Sequence, residues 1–165
     1  MIELTSLPLD APLRVTSPFG SRTINGVKQF HYGTDLGRDK SKSGECYILA
    51  ACDGVIQKNY YNSSRGWVIT IKHDDKYVTL YQHLKEQSPL AVGTKVKSGE
   101  VIGIMGSTGD STGAHLHFEI QENGTPIDAL PYLQNIKKEE VLTEADVRRI
   151  VNEEILAMVA RAVQK

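Results

Sequence analysis

The stretch STGAHLHFEI, residues 111–120, places two histidines two positions apart inside a strand-like run. Successive side chains of a strand point to opposite faces, so His115 and His117 share one face while Leu116 and Phe118 occupy the other. Taken alone, the pair has two readings. One is two solvated histidines on an exposed sheet face. The other is a metal ligand beside a proton-transfer group, both held on one rigid wall.

The surrounding sequence extends the strand pattern. CYILAAC (46–52), GVIQKNYY (54–61), GWVITIKH (66–73), KYVTLYQHL (76–84), EVIGIMG (100–106) and AHLHFEIQ (114–121) are rich in β-branched and aromatic residues. Asn25-Gly26, Asp53-Gly54, Asp74-Asp75, Ser98-Gly99 and Asn123-Gly124 separate β-segments with residues suited to tight turns, and Asp74-Asp75 reads as a hairpin connection. No ten-residue helical pattern interrupts residues 15–127, so the fold class is mostly β and antiparallel.

Beyond Pro131 the pattern changes. Apolar residues at 147, 150, 151, 155, 158, 159 and 162 follow helical spacing, and Thr143 with Asp146 resembles a capping box. The organisation expected is a domain over 1–134, then a charged linker and an amphipathic C-terminal α-helix over 135–165. That helix needs cover for its apolar face. Its own domain, a second copy of the chain in a homo-oligomer, or a partner would supply it; the mixed Glu and Arg of its polar face argue against a membrane.

Bulk properties narrow the function. The chain carries 19 basic and 20 acidic residues in 165, without the basic surplus of a nucleic-acid binder. No apolar run approaches the ~18 residues of a membrane span. MIELTSLPLDAPLRV lacks a basic segment followed by an apolar one, so no export signal is expected. Cys46 and Cys52 flank an apolar run that, as a straight strand, would hold them roughly 20 Å apart, too far for a disulfide. Free thiols are expected; zinc ligation by them lacks a CxxC spacing.

Five histidines are present: His31, His73, His83, His115 and His117. His31 and Asp35 form HxxxD in FHYGTDLG, where Gly33 would let an irregular strand bend two side chains toward one ion. His83 sits in LYQHLK, where alternation puts Tyr81 and His83 on one face. Two histidines and an aspartate make a three-ligand zinc site with a position open for water. HxxxD supplies two ligands and one histidine of HxH the third, leaving its neighbour free to face a substrate.

These motifs carry a resemblance. SPFGSR (17–22), FHYGTDLG (30–37), GECYILAACDGVI (44–56), GWVITIKH (66–73), YVTLYQHL (77–84), the segment 92–120 and NGTPIDALPYL (123–133) occur in the order seen in LytM/lysostaphin-type zinc metallopeptidases, peptidase family M23. The likeness covers roughly residues 12–133. It implies a two-layered antiparallel β-sheet domain with a substrate groove, using Zn2+ to hydrolyse peptide bonds of bacterial peptidoglycan stems or cross-bridges. By motif it implies that His31, Asp35 and His117 hold the metal while His83 and His115 are catalytic. His73 matches no functional position and reads as a solvated strand-end histidine. The alternative implied is a catalytically inactive LytM-type module that binds the wall or regulates another hydrolase. With no export signal in view, the expected setting is a phage endolysin, made in the host cytoplasm and released to the wall; otherwise the cell wall or exterior.

Overall fold

The computed structural model describes residues 1–38 and 44–136, so the amphipathic helix and its self-association lie outside the described residues, as does most of the basic loop 38–43. Within the described residues the strands are β1 (Val15–Ser17), β2 (Gly20–Ile24), β3 (Val27–His31), β4 (Thr34–Leu36), β5 (Tyr47–Leu49), β6 (Gly54–Asn62), β7 (Gly66–Lys72), β8 (Tyr77–Leu84), β9 (Lys95–Val96), β10 (Val101–Ile104), β11 (Leu116–Glu122) and β12 (Thr125–Ile127). One short helix, α1 (Leu130–Gln134), follows. Among these residues no helix is long and apolar enough to cross a membrane.

The turn chemistry acts as expected. Asn25-Gly26 and Asn123-Gly124 both take positive φ (51° and 79°, 51° and 78°), the two-residue geometry whose twist matches flanking antiparallel strands. They close the hairpins β2–β3 and β11–β12. Asp74 Oδ1 accepts from the backbone N–H groups of Lys76 and Tyr77, which folds β7 back onto β8.

The main sheet has the order β1-β4-β11-β8-β7-β6-β9, with β12 paired to β11, and every pairing is antiparallel. One face of this sheet meets a second layer built on the β5–β10 pair. Leu116, Phe118 and Ile120 of β11 are fully buried there with Ile69, Ile71, Tyr81, Ile48 and Ile102. Each such side chain contributes about 1.5–3 kcal/mol by leaving water. Alternation along β11 therefore decides both faces. Its apolar set faces the core, and His117 and Glu119 face the opposite side.

One expectation of face-sharing fails. Tyr81 lies in the core against Phe118, ring centroids 5.3 Å apart, whereas His83 lies on the other side, 4.8 Å from the His115 ring. The register explains it: Trp67 pairs with Leu84 and Ile69 with Tyr81, so β8 carries one extra residue. His83 is in that bulge with φ of 64°, and the side chain that strict alternation would send into the core turns out of it.

The cysteines are buried, and Cys52 is a free thiol. Its Sγ lies 3.1 Å from His73 Nδ1, but that nitrogen also lies 2.7 Å from the Asp53 carbonyl, which can only accept its proton. His73 is half-buried rather than solvated, and its Nε2 lies 2.8 Å from Thr79 Oγ1. Burial pushes the Cys52 thiol up to about 12, with Asp53 and Asp74 adding to the effect. Iodoacetamide at pH 8 is thus expected to leave Cys52 unmodified in the folded protein and to alkylate it after denaturation, by peptide mass mapping; native labelling would refute this.

Candidate metal centre and groove

The sequence spacing HxxxD is built by two strands of different sheets. His31 ends β3, Tyr32 and Gly33 carry the chain across, and Asp35 sits in β4 beside His117 of β11. Gly33 acts differently from the sequence reading. Its φ is unexceptional, but a Cβ there would stand 2.6 Å from His117 Nε2 and 2.7 Å from the Phe118 carbonyl oxygen. The position requires glycine for close approach, not for bending.

His31 Nε2, Asp35 Oδ1 and His117 Nδ1 converge. Asp35 Oδ1 lies 3.1 Å from His31 Nε2 and 2.9 Å from His117 Nδ1, and the two nitrogens are 3.0 Å apart. The outer edges of both rings are committed. His31 Nδ1 is 2.8 Å from the Pro18 carbonyl, so that nitrogen carries the ring proton. His117 Nε2 faces the Glu119 carboxylate at 3.2 Å, so its proton points there. In its neutral form each histidine thus turns a lone pair toward Asp35, so that three electron-rich atoms can share one cation. That donor set fits a cation, and the nitrogen–oxygen mix with ring protons held by outer acceptors fits zinc.

The electrostatics favour positive charge at the same point. Burial pushes Asp35 up, yet hydrogen bonds with His117 and His31 outweigh it and hold the carboxyl well below the usual range. Burial lowers His117, but Asp35 and Glu119 more than compensate and raise it. Arg22 donates to Ser17 Oγ at 2.9 Å and, more weakly at 3.5 Å, to Asp35 Oδ2.

His83 and His115 stand beside this cluster, their rings 4.8 Å apart. His83 Nδ1 donates to the Thr108 carbonyl at 2.7 Å and His115 Nδ1 to the Gly113 carbonyl at 2.8 Å. Both rings therefore keep Nε2 available, and that of His115 lies 3.7 Å from Asp35 Oδ1. Burial holds His83 below the ordinary histidine range, favouring the neutral imidazole.

The five residues line a groove. One wall is the β2–β3 hairpin with Phe30 and Tyr32; the other comprises the turn 62–65 and the loop 107–113. The Asp110 N–H donates to the Ser64 carbonyl, and Gly109, with φ of 75°, brings its backbone against Gly66. The second wall is therefore one packed unit.

A family model described as peptidase family M23 matches residues 29–129. The chain belongs to peptidase family M23. A peptidoglycan DD-endopeptidase of Vibrio cholerae, ShyC, is 39% identical over 120 residues, covering 71% of this chain and 26% of the relative. A solved zinc-containing peptidase from Vibrio cholerae aligns with a TM-score of 0.66 at 29% identity, over 84% of this chain and 40% of the other. The lysostaphin catalytic domain from Staphylococcus simulans aligns at 0.64 and 29%, over 74% and 93%. The chain spans about a quarter of the length of the first curated relatives it matches.

One contributor to this M23 site, Glu119, escapes the motifs. Glu119 is buried and takes hydrogen bonds from Gln82 Nε2 at 2.6 Å and Gln121 Nε2 at 2.9 Å, besides facing His117. Burial would raise it, but His117 and Gln121 hold it below its usual value, as a carboxylate. The signal was present: positions 117 and 119 share one face of β11, the face that the alternation of HLHFEI assigns to the histidines. Glu119→Gln removes the acceptor that orients His117. Zinc affinity is expected to fall about 10–100-fold, read by competition with a chromogenic chelator. Unchanged affinity would refute this role.

Proposed function

We propose that this chain is a zinc-dependent endopeptidase that hydrolyses peptide bonds of bacterial peptidoglycan. The observation that carries the reading is the convergence of His31 Nε2, Asp35 Oδ1 and His117 Nδ1 with both ring protons turned outward. The endopeptidase relative and the zinc-containing structural neighbour support it. When bound, zinc brings a coordinated water's pKa to about 7 and polarises a peptide carbonyl. The protein does the rest. Pro18 and Glu119 fix the ligand rings, and Arg22 steadies Asp35. His83 and His115 turn their Nε2 atoms to the same groove, where they can accept a proton and return it to the leaving amine, or bind the developing oxyanion. The groove carries an extended peptide across these groups.

The test is digestion of Gram-negative and Gram-positive sacculi by the full chain, with and without chelator, with fragments identified by mass spectrometry. Chelator-sensitive release of peptide-cleaved fragments is the expected result, and the fragments name the bond. Stoichiometric zinc with no release from any wall would replace this reading with that of a wall-binding or regulatory module.

A further inference from the structure

We propose that Arg65 forms a carboxylate subsite in the groove, selecting peptides with a free carboxylate next to the bond that is cut. The inference rests on the peptidase reading. Two observations carry it.

First, Arg65 is an exposed groove-lining cation whose guanidinium has no hydrogen bond or ion pair among the described residues. The groove's other arginine, Arg22, is already committed to Ser17 and Asp35. The floor carboxylates are committed too: Asp35 to the metal cluster and Glu119 to His117, Gln82 and Gln121. A free guanidinium in such a groove offers a planar set of donors to an incoming carboxylate.

Second, the backbone of Arg65 is pinned at the catalytic end of the groove. Its N–H donates to Asn62 Oδ1 at 2.9 Å, and its carbonyl accepts from the N–H of His83 at 3.0 Å. Ser64, one residue earlier, accepts from Asp110 at 2.8 Å, locking the turn to the neighbouring loop. Arg65 is thus anchored to the bulge that presents His83, and it lines the same groove as His83, His115 and His117.

The competing role is structural: if Arg65 served only to hold the turn and the groove floor, its loss would act through the metal.

The experiment uses the zinc-loaded full chain and two synthetic stem-type peptides, identical except that one bears a carboxylate beside the scissile bond and the other a carboxamide. Wild type is expected to favour the carboxylate peptide about 10–100-fold in kcat/KM, mainly through KM, as a desolvated charge-assisted pair would give. Arg65→Gln should collapse that ratio to about one, and Arg65→Lys should restore part of it. A wild type without preference overturns the subsite. So does an Arg65→Gln protein that keeps the ratio, or that loses activity equally on both peptides together with zinc. If wild type cleaves neither peptide, the peptidase reading fails and calorimetric binding decides the subsite: tighter carboxylate binding by wild type than by Arg65→Gln supports it, and equal binding overturns it.

Discussion

His117→Ala is expected to purify without zinc and to release no fragments from sacculi. His117 is the centre of the site in three respects: its Nδ1 faces Asp35 and His31, its Nε2 faces Glu119, and its ring packs 4.8 Å from that of His31. Alanine deletes one of three ligands and leaves two, too few to hold zinc against buffer. The effect also appears in stability. Zinc at about 100 times its dissociation constant should stabilise the wild type by about 2.7 kcal/mol, because the unfolded chain has no assembled site. The variant should show no such rise in Tm. Stoichiometric zinc in His117→Ala would remove this ligand assignment, whatever its activity.

The second large effect separates metal binding from chemistry. His115→Ala and His83→Asn are each expected to retain zinc and lose about 10²–10⁴-fold in kcat, the usual contribution of a positioned acid or base. His115 lies at the mouth of the cluster, with Nδ1 held by Gly113. His83 requires a replacement that accepts φ of 64°, and asparagine tolerates that conformation far better than alanine or a β-branched residue. Its Nδ1 partner, Thr108, also donates to the Leu84 carbonyl from its own hydroxyl, so the surrounding loop keeps most of its hydrogen bonds after the change. Zinc content and melting temperature measured beside kcat separate a chemical loss from a folding defect. Loss of zinc from either variant would assign that histidine to the metal, and full activity would assign it to neither role.

Much of the fold is legible because its causes are local. The Asn-Gly pairs at 25–26 and 123–124 carry their own φ preference and close hairpins as expected. Alternation in HLHFEI sorts Leu116 and Phe118 from His117 before any partner strand is known. Alternation failed at His83 because a bulge is a mismatch between two strands, and neither β7 nor β8 declares it alone.

By itself, then, the sequence determined the antiparallel β class, the face on which the histidine pair lies and the residue types able to bind a metal. Period-two patterning and turn propensity act over a few neighbouring residues, so one chain segment suffices to express them. Only the tertiary structure decided how they combine. Pairing of β11 with β4 and β8 brings residue 117 beside Asp35 and Gln82. Distant carbonyls, Pro18 for His31 and Thr108 for His83, choose which ring nitrogen is free. A glycine two residues from each ligand of HxxxD is required by a histidine 84 positions away. Those outcomes depend on contacts between segments far apart in sequence, where register and close approach, not local preference, set the energy.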